Sequence, residues 1–225
     1  RSNKLFIKYC EKIFCYSDEV KNFPNKYINK IYVIPALLRK KFYEIKKEKS
    51  IDEYINLLVI GGSQGAKIFD SLIKNSIIEL SQRYSLKIYQ QTNSVNFDNL
   101  KKFYKENNIN YELFNFDEDI SNLMSKTNIC VTRAGASTLA ELVFLNLPFV
   151  AIPLPTSKDN HQFENAFFYN NIGCNWIINQ NVINDENITN ELVSIIDNKE
   201  EYLVKKMNMK NFSYQNTWNN INQKI

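Results

Sequence analysis

Apolar residues fall along this chain in short unbroken runs, and polar residues gather at the turns between them. The runs predict strands at Ile31–Ile34, Ile55–Ile60, Leu86–Gln90, Tyr111–Phe114, Asn128–Thr132, Pro148–Ile152 and Asn175–Ile178. Helical periodicity separates them, at about 66–81, 96–107, 119–126, 137–146 and 160–171, and two more helices near 186–197 and 199–221 close the chain. Strands that are apolar throughout, each followed by a helix, predict a parallel sheet covered on both faces, which is a doubly wound α/β domain. In such sheets ligands bind beyond the carboxyl ends of the strands. The loops just after strands are therefore where chemistry is to be sought.

Composition narrows the class. Five glycines in 225 residues exclude collagenous and linker-like chains, and 44% hydrophobic residues with a net charge of +4 exclude disorder. Length favours one domain with a core large enough to need no staples. Cys10, Cys15, Cys130 and Cys174 form no C-x-x-C pair, and His161 is the sole histidine, so no zinc site is expected and the thiols suit a reducing cytosol. The longest apolar stretch, Leu142 to Pro155, is interrupted by Asn146 and three prolines and falls short of the ~20 residues of a membrane span. No secretory signal opens the sequence, so a soluble or peripheral chain is expected. Residues 1–50 carry 13 Lys/Arg against 5 Asp/Glu, which reads as a solvated basic face; no nucleic-acid motif accompanies it. The 33 asparagines and abundant lysines read as nucleotide bias, so single Asn and Lys positions carry little weight.

The glycines are placed unevenly. Gly61, Gly62 and Gly65 share one loop, Leu57-Leu-Val-Ile-Gly-Gly-Ser-Gln-Gly-Ala66, and Gly135 sits in another, Ile129-Cys-Val-Thr-Arg-Ala-Gly-Ala-Ser-Thr138. Both loops lie between a predicted strand and a predicted helix. Glycine serves where φ is positive or where a ligand approaches the backbone. A helix starting there offers unpaired N–H groups and the positive end of its dipole to an anion. Ser63, Ser137 and Thr138 add hydroxyl donors, and together the two loops point to a diphosphate. Neither is a P-loop nor a G-x-G-x-x-G fingerprint, which argues against NTP hydrolysis and NAD chemistry.

A third segment, Pro153-Leu-Pro-Thr-Ser-Lys-Asp-Asn-His-Gln-Phe-Glu-Asn-Ala166, runs from a loop into a helix. Gln162 and Asn165 share a face of that helix and can offer amides to sugar hydroxyls. Glu141, in the second turn after Gly135, can accept two hydrogen bonds from a ribose diol. Asp117-Glu-Asp119 spells D-x-D; acids at a helix start favour its dipole, and no metal is expected there.

These three motifs, Val59-Ile-Gly-Gly-Ser-Gln-Gly-Ala66, Thr132-Arg-Ala-Gly-Ala-Ser-Thr-Leu-Ala-Glu141 and Asp159-Asn-His-Gln-Phe-Glu-Asn-Ala166, resemble the carboxyl-terminal domain of the MurG family. The likeness runs in order over about residues 30–200, and Asn3-Lys4 fits the segment leading into that domain. The resemblance implies a GT-B glycosyltransferase, of which this chain would be the Rossmann-like, carboxyl-terminal half. Residues 1–50 would be the connecting segment, with a helix and a strand, from an amino-terminal domain lying upstream of Arg1. Residues 51–200 would bind UDP-GlcNAc, and 201–225 would form the closing helix.

Such enzymes move GlcNAc from UDP-GlcNAc, with inversion, to the C4 hydroxyl of undecaprenyl-pyrophosphoryl-MurNAc-pentapeptide in peptidoglycan synthesis. The implied partners are UDP-GlcNAc, the lipid-linked acceptor through the upstream domain, and the membrane surface peripherally at the cytoplasmic face of the inner membrane. No nucleic acid, cofactor or metal is implied. The isolated chain would be inactive, because the general base is expected in the upstream domain; His161 is read as a positioning residue.

By resemblance, Gly62, Ser63, Gln64 and Gly65 would meet the diphosphate. Arg133, Gly135, Ala136, Ser137, Thr138, Leu139, Ala140 and Glu141 would line the nucleotide, with Thr138 near phosphate and Glu141 on the ribose. Gln162 and Asn165 would hold GlcNAc hydroxyls, Phe116-Asp117 would read uracil, and Arg39 would contact the donor. The family's Gly-Asn-Pro before that arginine is replaced here by Val33-Ile-Pro-Ala-Leu-Leu. A nucleotide-sugar hydrolase and a non-catalytic UDP-sugar-binding subunit are the alternatives.

Overall fold

The computed structural model describes residues 5–17, 20, 23–45, 54–62 and 67–223. Along the chain run β1 (Ile13–Cys15), β2 (Ile31–Val33), α1 (Lys40–Tyr43), β3 (Tyr54–Ile60), α2 (Lys67–Leu72), α3 (Lys74–Arg83), β4 (Ser85–Gln91) and α4 (Ser94–Glu106). There follow β5 (Asn110–Phe114), α5 (Ile120–Ser125), β6 (Ile129–Thr132), α6 (Ala136–Phe144), β7 (Phe149–Ala151), α7 (His161–Asn171) and β8 (Asn175–Ile177). The helices α8 (Asp185–Asp197), α9 (Lys199–Ser213) and α10 (Trp218–Asn222) complete the described chain.

Six strands form one parallel sheet in the order β5-β4-β3-β6-β7-β8. The chain winds from β3 outward to β5, then returns to the other side of β3 with β6. The order therefore reverses between β3 and β6, and their carboxyl ends frame the crevice in which a doubly wound sheet takes its ligand. Register places Ile60 beside Thr132, so the loop after β3 and the loop after β6 leave the sheet at the same level.

Alternation along β3 explains the two-sided core. Leu57 and Val59 point to one face, where they meet Phe69, Ile73, Ile77, Leu80, Leu100, Tyr104 and Leu192. Leu58 and Ile60 point to the other, against Leu123, Met124, Leu139, Leu142, Phe144, Ala166 and Met209. A strand buried on both sides has no polar face to show, hence its unbroken apolar run.

Three expectations need correction. The predicted strand at Ile31–Ile34 does not join the main sheet. As Ile31–Val33 it pairs with Ile13–Cys15 in a separate two-stranded parallel sheet. The predicted helix 66–81 is two, α2 and α3, meeting at Ile73, whose buried side chain joins the core. The closing helix is also two. Asn216 donates to the Ala36 carbonyl (3.1 Å) and accepts from the Tyr43 hydroxyl (3.1 Å), which draws the backbone away from α9 before Thr217 caps α10. The asparagines set aside as compositional also have local work: Asn93, Asn184 and Asn198 cap α4, α8 and α9 through their side-chain oxygens.

Gly173 ends α7 with φ +71, and a Cβ there would meet the Asn208 side-chain nitrogen at 2.5 Å. That nitrogen also donates to the Gly173 carbonyl at 3.2 Å, tying α7 to α9. Gly173→Ala is expected to lower stability by about 1–2 kcal/mol, from the left-handed backbone penalty and the disturbed hydrogen bond. A urea midpoint unchanged from wild type would contradict this.

Candidate functional site

The two glycine turns are brought together at the switch point. After β3, the Gly61 N–H donates to the Gln91 side chain at 3.1 Å, and Gln91 in turn donates to the Asn115 carbonyl at 3.1 Å. This chain of bonds ties the exits of β3, β4 and β5. Gly62 follows with φ +75 and open space where a Cβ would stand, so the demand on this residue is conformational, not steric. Ser63, Gln64 and Gly65 lie outside the described residues.

Gly135 behaves differently from Gly62. Its backbone is extended (φ −68, ψ 130), and among the described residues a Cβ would find only the Thr138 hydroxyl, at 3.7 Å. Neither backbone conformation nor internal packing requires glycine here. What a side chain at 135 would obstruct is the space in front of the α6 amino terminus. The cap residue, a glycine, makes no side-chain cap bond, and among the described residues no side chain accepts from the first N–H groups of α6; Ala136 and Ser137 are exposed.

One helical turn and a half further on, Glu141 is buried (5% exposed) in the otherwise apolar inner face of α6 with Leu139 and Ala140. Side chains on a helix lean toward its amino terminus, which brings this carboxylate back toward Thr138. Its Oε1 accepts from Arg39 Nε at 2.9 Å across 102 positions of sequence. Arg39 is delivered by its neighbours: Leu38 and Phe42 are buried against α6, and its guanidinium lies 5.1 Å from the Phe42 ring centre. Burial pushes the Glu141 carboxyl above its ordinary value near 4.5, while the hydrogen bond and charge of Arg39 hold it down.

A carboxyl whose native pKa lies above its unfolded one contributes stability fully present below the unfolded value. That contribution is lost as pH rises through the raised native value. Glu141→Gln, which cannot titrate, should therefore gain stability relative to wild type as pH rises from 4 to 7. Urea melts at both pH values check this, and a difference independent of pH would refute it.

Several predicted site residues are partly engaged within the chain. Arg133 donates to the Ile152 carbonyl at 2.9 Å and stacks 5.2 Å from the Phe69 ring centre, so it straps the β6 exit to the β7 exit; burial lowers its pKa. Asn165 donates to the Ala134 carbonyl at 3.0 Å, and the Gln162 Oε1 accepts from the Leu154 N–H at 2.9 Å. Both amides thus brace the loops after β6 and β7. Asp117 accepts from the Asp119 N–H at 2.7 Å, closing the turn into α5, beside the exposed Phe116. Among the described residues no cluster of three metal-ligating side chains occurs. His161 Nδ1 lies 2.6 Å from the Lys158 carbonyl.

Two features escaped sequence reasoning. Asp159 and Asn160 both adopt left-handed backbone (φ 52 and 55) just before α7, a strained pair that turns the loop into the helix carrying Gln162 and Asn165. Asp and Asn tolerate that conformation best among non-glycine residues, so the D-N pair was the available signal. The second is a buried network under the first turn. Asp70, in α2, accepts from Gln90 Nε2 (3.0 Å), Thr92 Oγ1 (2.9 Å) and Asn96 Nδ2 (2.8 Å), and the Tyr104 hydroxyl donates to Gln90 Oε1. It fastens α2 to the end of β4. Burial and the nearby Asp70 charge push the Tyr104 phenol upward.

Residues 56–222 match the glycosyltransferase family 28 C-terminal domain. A curated relative from Pelagibacter ubique (strain HTCC1062) is 66% identical over 226 residues, covering 100% of this chain and 63% of its own length. It is named UDP-N-acetylglucosamine--N-acetylmuramyl-(pentapeptide) pyrophosphoryl-undecaprenol N-acetylglucosamine transferase. A protein of the same name from Rickettsia bellii (strain RML369-C) is 34% identical over 203 residues, 87% of this chain and 57% of that protein. The chain thus spans about 60% of the length of these relatives. The crystal structure of Acinetobacter baumannii MurG superposes with a TM-score of 0.74 over 94% of this chain and 59% of that one, at 22% identity, a likeness of fold. Among the described residues no helix is long and apolar enough to cross a membrane.

Proposed function

Because the chain belongs to the glycosyltransferase family 28 C-terminal domain family, we propose that it is the donor-binding half of an inverting N-acetylglucosaminyltransferase of peptidoglycan synthesis. One observation carries the proposal. An uncapped helix amino terminus at the switch point of the sheet has a buried carboxylate one and a half turns behind it. A diphosphate at the first and a ribose diol at the second describe a nucleoside diphosphate. The names of the 66% and 34% identical relatives supply the sugar and the acceptor.

In this reaction the C4 hydroxyl of lipid-linked MurNAc-pentapeptide attacks C1 of GlcNAc from the face opposite UDP. The new C4–O–C1 bond forms as the C1–O bond to the diphosphate breaks, with inversion. Negative charge gathers on the departing diphosphate. The N–H groups at the start of α6, its dipole, and the hydroxyls of Ser137 and Thr138 meet that charge without reorganising, which is the electrostatic contribution that usually dominates catalysis. Gln162 and Asn165 keep donor and acceptor capacity for GlcNAc hydroxyls while bracing the loops. The proton of the C4 hydroxyl passes to a base outside this chain, in the part of the relatives that it does not span. The lipid-linked acceptor places the reaction at the cytoplasmic face of the membrane, with peripheral contact.

Isothermal calorimetry tests the donor site on the chain itself. UDP-GlcNAc should bind, and Thr138→Val should weaken it by roughly 10- to 100-fold through loss of one hydrogen bond to a charged group. A folded chain that takes up no UDP-GlcNAc would sink the proposal.

A further inference from the structure

Glu141 presents a physical difficulty that Arg39 resolves. A carboxylate with only 5% of its surface exposed is driven toward its neutral form, which offers one donor where a ribose diol requires acceptors. Arg39 supplies the opposing charge at 2.9 Å, on one oxygen only. No hydrogen bond to the second oxygen occurs among the described residues. Arg39 itself is held from behind by the Phe42 ring, so its guanidinium is braced between an aromatic face and the carboxylate. Its segment is in turn fixed to α6 by buried Leu38 and Phe42.

Resting on the donor-site proposal above, we infer that Arg39 is a positioning residue: it engages one oxygen of Glu141, fixing the orientation of the carboxylate and leaving its second oxygen to a ribose diol. Arg39 thus acts on the ligand through Glu141 and not by gripping the phosphates. Since Arg39 lies in the segment that precedes the sheet domain, the orientation of that segment and the grip on the ribose are coupled.

The test compares UDP with 2′,3′-dideoxy-UDP by calorimetry on the 225-residue chain. Wild type should prefer UDP by about 10- to 100-fold, the range of hydrogen bonds to a charged acceptor. In Arg39→Met the preference should collapse to within about threefold, while affinity for the dideoxy ligand changes little. Arg39→Lys should recover part of the preference, and Glu141→Gln should lose it. Arg39→Gln carries the same expectation as Arg39→Met and replaces it if that variant does not fold. Equal weakening of both ligands in Arg39→Met would overturn the inference, since a phosphate contact or a purely structural role acts on both alike. A wild-type chain that binds both ligands equally would remove the ribose role of Glu141. One that binds neither would instead remove the donor-site proposal itself.

Discussion

Asp70→Ala is expected to cost about 3–5 kcal/mol of stability, the largest loss predicted for any single substitution considered in this chain. Asp70 is 9% exposed and is the common acceptor for three neutral donors, on Gln90, Thr92 and Asn96. Alanine strands all three in a region where water does not readily replace the carboxylate. Each buried donor left unpaired costs on the order of 1–3 kcal/mol, and some relaxation offsets the sum. Asp70→Asn should cost less but still destabilise, because its amide nitrogen would face donors where an acceptor-only group now stands. Tyr104 hangs on the same network through Gln90, so its packing should loosen as well. Urea denaturation checks the magnitude, and a loss below about 1 kcal/mol would show the network to be dispensable.

Gly135→Val is expected to behave in the opposite way, sparing the fold and abolishing donor binding. The native φ of −68 suits any residue, and among the described residues an added Cβ meets only the Thr138 hydroxyl, at an ordinary 3.7 Å. Stability should change by less than about 1 kcal/mol. If the start of α6 holds the diphosphate through its N–H groups, a branched side chain there stands in the anion's place. Binding of UDP-GlcNAc should then fall by roughly 100-fold or more, comparable to removing a principal oxyanion donor. Undiminished binding in a folded Gly135→Val chain would mean that the diphosphate does not rest on this helix. Gly62→Val makes a useful contrast. It should harm folding first, because Gly62 holds φ +75.

Much of this molecule was legible from its residues. Unbroken apolar runs such as Leu57–Ile60 carry their meaning locally, because a strand buried on both faces has no other way to be written. The glycine turns were equally legible, since each lies directly after such a run. The strand at residues 31–34 was legible but not the sheet it joins: its pattern marks a strand and not a partner, and pairing is a property of the whole sheet. The breaks at Ile73 and at 214–217 were invisible because they depend on packing and on distant partners, Ala36 and Tyr43 in the second case.

The sequence by itself determined the strand and helix alphabet, the parallel doubly wound class, and the segments from which a diphosphate site can be built. Only the tertiary structure decided which loops meet. The β5-β4-β3-β6-β7-β8 order brings the turns after β3 and β6 to one crevice. It decided too that Arg39 reaches Glu141, that Gln162, Asn165 and Arg133 brace neighbouring loops, and that Asp70 gathers three donors under α2. The physical reason is range. Periodicity and turn chemistry act over a few residues, whereas a buried charge or amide is settled by whichever partners the packed core brings within about 3 Å.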